Sequence, residues 1–198
     1  MSKMELRLAG SGGQGVILAT VILAEAAILA GKYTAQSQAY GPEARGGSCK
    51  AEVLISDAPI GFTKVQQPTF LMVLTQKALE EYARNVPENC LVLADESLQI
   101  PESPKLAHLV QLPILRTAQE KVGKAMTANI VAVGAINRLL GLVSPEVLHE
   151  AVMMHVPKGT ESLNARALEA GLSLGNAHAP AAEPVAPKEK KKKEARVS

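Results

Sequence analysis

Three consecutive stretches decide the fold: Met4-Glu-Leu-Arg-Leu-Ala9, Gly10-Ser-Gly-Gly-Gln-Gly15 and Val16-Ile-Leu-Ala-Thr-Val-Ile-Leu-Ala-Glu-Ala-Ala-Ile-Leu-Ala30. The first alternates and reads as a short strand. The third is rich in Ala, Leu and Ile, which suits a helix, and Gly31 is a natural stop. Its apolar residues point to nearly all sides, so burial on more than one face is expected. Between them Gly10, Gly12 and Gly15 fit G-x-G-x-x-G in the strand-to-helix setting that a dinucleotide site requires. Such glycines let a ligand approach a helix N-terminus, where free amides and the helix dipole favour an anion. A tight strand-to-helix turn also needs glycine for its own sake, so the turn alone leaves both readings open. An NAD site further needs an acid about 20 residues on. Thr34-Ala35-Gln36-Ser37 supplies none, and Glu25 falls inside the helix. No Lys-Ser/Thr closes the turn, so it is not a P-loop.

Working outward, Tyr33 to Gln38 is extended and leads into Tyr40-Gly-Pro-Glu-Ala-Arg-Gly-Gly47, a loop by its glycines and proline. Cys49 to Ser56 alternates as a strand. Phe70 to Leu74 and Cys90 to Ala94 are continuous apolar runs of the kind found in central parallel strands, with a helix over Gln76 to Arg84 between them. Leu106 to Leu112 is a weaker strand. Thr117 to Leu142 reads as largely helical. Ser144-Pro145-Glu146 opens a helix to about Met154, and a last helix runs through Gly171. This alternation predicts a three-layer α/β fold with a mainly parallel sheet and a Rossmann-like or flavodoxin-like opening. From Asn176 the chain is Ala/Pro/Lys/Glu-rich without Leu, Ile or Phe, so residues 176–198 read as a disordered tail.

The 198 residues carry a net charge of +2. Residues 176–198 hold six basic and three acidic side chains, leaving 15 basic and 16 acidic in the body, a charge of −1. The body therefore has no positive field for nucleic acid. Aromatics are 3% of the chain, too few for a base-stacking binder. Two cysteines cannot make a disulfide framework or a four-thiolate cluster. Both read as buried packing thiols. No signal peptide or membrane span is evident, so a cytoplasmic protein with no membrane partner is expected. His108, His149, His155 and His178 form no metal-ligand spacing, and His149 and His155 read as surface or packing residues flanking a short helix. The basic tail reads as solvated, with contact to RNA or an acidic partner as the alternative.

The loop at residues 40–47 is the least ordinary stretch. Glu43 and Arg45 form a local surface pair, or Arg45 holds a carboxylate or phosphate bidentately.

Taken together, Gly10-Ser-Gly-Gly-Gln-Gly-Val-Ile-Leu-Ala19, Gln36-Ser-Gln-Ala-Tyr-Gly-Pro-Glu-Ala-Arg-Gly-Gly47 and Ala51-Glu-Val-Leu-Ile-Ser-Asp57 resemble the gamma subunit of 2-oxoacid:ferredoxin oxidoreductases. Asn129-Ile-Val-Ala-Val-Gly-Ala135 and Pro157-Lys-Gly-Thr-Glu-Ser-Leu-Asn-Ala-Arg-Ala167 look like that family's C-terminal half. The resemblance makes residues 1–175 a gamma domain, most like the 2-oxoglutarate branch. It implies a subunit, inactive alone, of a complex that decarboxylates a 2-oxoacid, acylates coenzyme A and reduces ferredoxin. Thiamine diphosphate, Mg²⁺ and iron–sulfur clusters are then expected on partner chains: alpha and beta subunits, and a ferredoxin-like delta subunit where the complex has one. No catalytic or metal-binding residue is expected on this chain. Carried over residue by residue, Gly12, Gly13, Gln14, Gly15 and Arg45 are the candidates for coenzyme A. Tyr40, Gly41, Pro42, Glu43, Gly46 and Gly47 are the candidates for a subunit interface. Alternatives are the same role in a pyruvate, branched-chain or indolepyruvate complex, a free-standing NAD-binding Rossmann protein, and a pure assembly module.

Overall fold

A computed structural model of the chain describes residues 3–40 and 48–176. Strand β1 (Lys3–Ser11) leads through the glycine turn into helix α1 (Val16–Leu29), then β2 (Tyr33–Tyr40). After residue 47 follow β3 (Ser48–Ser56), β4 (Phe70–Val73), α2 (Gln76–Tyr82), β5 (Leu91–Asp95) and β6 (Leu109–Leu112). A short turn of helix, α3 (Ile114–Arg116), continues as a π-helical stretch, Thr117–Val122. Helices α4 (Ala128–Leu140), α5 (Pro145–His155) and α6 (Glu161–Asn176) close the described chain.

The six strands form one sheet in the order β2-β3-β1-β4-β5-β6. β1, β4, β5 and β6 are parallel neighbours; β3 is antiparallel to both β1 and β2. Only β3 therefore runs against the rest, and the expected mainly parallel sheet is present as a mixed one. The opening β–turn–α unit is as expected, but β2 does not pair with β1. β3 lies between them, with Lys3 opposite Ser56 and Ser11 opposite Ser48.

The sheet is buried on two faces because its strands alternate between two apolar clusters. Leu6, Leu8, Ala51, Val53, Phe70, Met72 and Leu93 face the layer built from α1, α4, α5 and α6. Ala9, Leu71, Val73, Val92 and Ala94 face Ala78, Leu79 and Ala83 of the α2 layer. That gives the three layers. Helix α1 packs on the sheet and on α4 and α5, which is why its apolar residues need no single stripe. Helix α4 is buried from Ala128 to Asn137. Its backbone lies almost against α6: a Cβ on Gly134 would come within 2.6 Å of the Leu168 carbonyl, and one on Gly171 would run into the Val131 carbonyl.

Several element bounds differ from the sequence expectation. The weak strand begins at Leu109, because Pro104–Leu106 forms a 3-10 turn instead. The helix expected over Thr117 to Leu142 is broken into the π stretch, a 3-10 turn at Ala125–Thr127 and α4. The last helix passes Gly171 and reaches Asn176, since Gly171 is there to meet α4 rather than to end α6. His149 and His155 lie within α5 rather than beside it. The cysteines are buried, as expected: Cys49 in the first cluster and Cys90 in the second. The tail beyond residue 176 lies outside the described residues.

Two buried carboxylates fasten the ends of the sheet. Glu5 accepts the backbone N–H groups of Gln66 (2.7 Å) and Gln67 (3.0 Å), tying the β3–β4 connection to β1. Asp95 accepts from the Ser97 hydroxyl (2.6 Å) and the Leu115 amide (2.9 Å), so the end of β5 fixes the start of the π stretch.

Candidate functional site

The site is built where β1 ends. The turn is closed by Gln14, whose N–H donates to the Ser11 carbonyl (3.2 Å) and whose Oε1 accepts the Ser11 N–H (2.7 Å). The carbonyl of Gln14 therefore shapes the turn, and only its amide nitrogen is left for a ligand. Gly12 and Gly13 are exposed at the tip. Gly13 has φ +95° and Gly15 φ +70°, conformations in which an L side chain is strained. Gly15 caps α1 without any side-chain hydrogen bond. The N–H groups of Val16, Ile17 and Leu18 therefore have no acceptor among the described residues, the condition for anion binding at a helix N-terminus.

Topology places this end of α1 at a crevice. The helix after β1 lies on one face of the sheet and α2, the helix after β4, lies on the other. β1 and β4 are parallel neighbours, so the connections part between their carboxyl ends, which is where open α/β sheets bind ligands. The Leu74 N–H, donating to the Ala9 carbonyl (3.1 Å), holds the floor of the crevice together.

Residues 41–47 lie outside the described residues, and with them Gly41, Pro42, Glu43, Arg45, Gly46 and Gly47. Tyr40 pairs with Cys49, which is opposite Gly10, and Ser48 is opposite Ser11. Both ends of the loop thus start at the level of the glycine turn, on the same end of the sheet.

Two features escaped the sequence reading. Asn129, the second residue of α4, packs on Gly15. On the α2 side of the sheet, Arg7 Nε donates to Glu52 (2.7 Å), Lys50 lies 3.4 Å from the same carboxylate, and the Ser37 hydroxyl donates to it (3.3 Å). Arg7 and Lys50 also stand over the Tyr82 ring, 5.6 and 5.8 Å from its centroid, close enough for cation–π attraction. Burial, with help from Glu81, pushes the Tyr82 phenol well above its usual range. Burial likewise pushes the Cys90 thiol to about 11, with Arg7 pulling the other way. The signal was Arg7 at the centre of β1, but its partners come from three other elements and no local pattern joins them.

A cleft of about 550 Å³ lies elsewhere, between α2 and the segment from Gln99 to Leu106. Gln76, Glu80, Arg84, Gln99 and Ser103 supply its polar lining. Among the described residues no group of three His, Cys, Asp or Glu side chains could hold a metal ion, and no helix is long and apolar enough to cross a membrane.

A β–glycine turn–α unit opening a six-stranded mixed sheet, with a helix N-terminus at its crevice, defines an α/β domain. The chain belongs to the pyruvate ferredoxin/flavodoxin oxidoreductase family, whose model matches residues 5–174, and within it to the gamma-subunit type of the 2-oxoacid:ferredoxin oxidoreductases. It is 45% identical to the 2-oxoglutarate synthase subunit KorC of Methanocaldococcus jannaschii, covering 87% of this chain and 94% of that one. It is 35% identical to the KorC subunit of Archaeoglobus fulgidus, covering 87% and 88%. Among solved structures, the keto/oxoacid ferredoxin oxidoreductase gamma subunit from Geobacter sulfurreducens matches with TM-score 0.79 and 39% identity over 91% of this chain and 100% of that one. The 2-oxoglutarate:ferredoxin oxidoreductase from Magnetococcus marinus shares the fold at TM-score 0.81 and 19% identity, over 95% of this chain and 34% of that one.

Proposed function

We propose that this chain is the gamma subunit of a 2-oxoglutarate:ferredoxin oxidoreductase and lends its glycine turn to the coenzyme A site. The reaction is 2-oxoglutarate, coenzyme A and two oxidised ferredoxins giving succinyl-CoA, CO₂, two reduced ferredoxins and a proton, or the reverse. Alpha and beta partner subunits carry thiamine diphosphate, Mg²⁺ and iron–sulfur clusters. The substrate assignment is supported by three KorC relatives at 40–45% identity, above a ketoisovalerate oxidoreductase subunit VorA from Methanothermobacter thermautotrophicus at 36% and a pyruvate/ketoisovalerate gamma subunit from Thermococcus litoralis at 32%. The bare N-terminus of α1 at the switch crevice carries the ligand reading, because three unpaired amides and the dipole suit the diphosphate of coenzyme A. Arg45, on a loop anchored at the same level, is assigned to the same anion.

The NAD alternative loses its second requirement in three dimensions. β3, not β2, lies beside β1, so the strand end that would present a ribose-reading acid is displaced by one strand.

The native complex, purified anaerobically through this chain, is assayed by viologen reduction with 2-oxoglutarate and with pyruvate. Activity on 2-oxoglutarate supports the assignment; activity on pyruvate alone overturns it. Arg45→Ala then separates ligand from interface. A raised KM for coenzyme A in an intact complex supports the ligand role, and failure to assemble shows that the loop is an interface.

A further inference from the structure

We propose that the free edge of β2, with the uncovered side of α1 beside it, is the surface on which a second copy of this chain docks. The two β2 strands pair antiparallel about a two-fold axis at Ser37. The inference stands on the fold and does not depend on the coenzyme A reading.

β2 ends the sheet, and among the described residues its outer backbone groups have no partner. Edge strands are ordinarily blunted by brevity, Lys, Pro or a bulge. β6, at the other edge, is four residues long and is followed by Pro113. β2 has none of these devices. It runs eight residues, pairs with β3 without a break, and carries no charged residue and no proline.

Its sequence says what pairs with it. Ala35-Gln-Ser-Gln-Ala39 reads the same in both directions. An isologous contact sets residue i against j and j against i. With the axis at Ser37, Ser37 lies opposite its own copy, Gln36 opposite Gln38, and Ala35 opposite Ala39. Each pair falls on one face of the joined sheet. The glutamine amides donate and accept across the junction, the Ala and Ser side of the strand allows close approach, and no like charges meet.

Helix α1 supplies the second layer. It is apolar all round, which predicts cover on every side, yet Ile28 is 51% exposed and Ile17 and Val21 are half-buried. Gln36 donates to the Thr20 hydroxyl (2.7 Å), which marks the flank of α1 that faces β2. Ile17 and Ala24 lie one turn either side of Thr20, and Val21 and Ile28 carry that row outward. A two-fold axis beside Gln36 sets this row against the same row of the other copy. The strand pair and the two helix faces together bury an area on the order of the 1,000 Å² that a specific interface needs.

The test is made on the full chain and on the complex. Light scattering of the full chain is expected to give twice the monomer mass. Ala39→Lys on β2 and Ile28→Glu on α1, both at exposed positions, are each expected to raise the dimer dissociation constant about tenfold or more with the circular dichroism unchanged. Opposed residues of an antiparallel pair lie about 4.5–5.5 Å apart at Cα, within reach of a disulfide. Mild oxidation of Ser37→Cys is therefore expected to link two copies of this chain, alone and in the complex, whereas Ser173→Cys on the exposed side of α6 stays unlinked. Pairing also slows amide exchange along β2 relative to the two disrupted variants, although β1, covered on both faces, stays slower. A monomer at every concentration, a dimer that either variant leaves intact, or no Ser37→Cys link in either setting overturns the proposal. A Ser37→Cys link to a different subunit in the complex overturns it too, and gives the edge to that subunit.

Discussion

Glu5 joins two segments far apart in sequence, pairing with Lys3 of its own strand (2.8 Å) and accepting the amides of Gln66 and Gln67. Burial raises its pKa, but the Lys3 ammonium and the two amides outweigh burial, so its carboxyl sits below the ordinary value of 4.5. In the window between the folded and ordinary values the unfolded chain binds more protons. The stabilisation is therefore complete above 4.5 and is lost as pH falls through the folded value. Glu5→Gln is expected to lower stability at pH 7 by about 2 kcal/mol, and the gap in Tm from the parent is expected to shrink in acid. The opposite trend in thermal melts across pH would refute this. At Gly171 two effects compete. Alanine is the better helix former by about 1 kcal/mol. Its Cβ would meet the Val131 backbone, which cannot swing aside as a side chain can. Overpacking costs about 1–3 kcal/mol and backbone contacts lie at the upper end, so Gly171→Ala is expected to lower Tm. Both thiols are buried and pushed upward by burial, so a thiol reagent at pH 8 should label neither Cys49 nor Cys90 until denaturant is added.

At the scale of elements, two caps are open to test. The Thr75 hydroxyl accepts the Ala78 N–H (3.2 Å) at the start of α2, and the Ser144 hydroxyl accepts that of Val147 (3.4 Å) at the start of α5. Replacing either with Ala should cost about 1 kcal/mol, read as a lower denaturant midpoint with the slope unchanged. The start at Ser144-Pro145 was legible in the sequence because a cap is a local pattern. So was α1, whose start is set by the glycine turn and whose end is set by Gly31. The π stretch was not, since a shift in hydrogen-bond register leaves the apolar spacing almost unaltered. Gly171 misled for a related reason: a glycine needed for close approach of two helices looks the same in sequence as one that ends a helix. The glycine turn was legible as a candidate site, but Asn129 was not. It sits more than a hundred residues away, and only the packing of α4 on α1 brings it to Gly15.

For the whole molecule, the sheet order sets a gradient of protection. β1, β4 and β5 are bonded on both edges and covered on both faces, whereas β2 and β6 are edge strands. Amide exchange should be slowest at Leu8, Met72 and Leu93 and faster along β2, with the α2 layer opening before the α1–α4 layer. Uniform protection across the sheet would count against the described strand order. The gradient also explains where the site sits, because the glycine turn leaves from the most firmly held strand.

The antiparallel insertion of β3 has a consequence for the chain as it is made. β1 is made before the strands it pairs with, β3 and β4, so Lys3 waits for Ser56 and Leu6 for Phe70. At a synthesis rate of about 5–20 residues per second, that strand spends several seconds with both edges open. During that interval its apolar Leu6 and Leu8 are available to any exposed strand nearby, so chaperone dependence should concentrate on the stretch from β1 to β4 while it is being made.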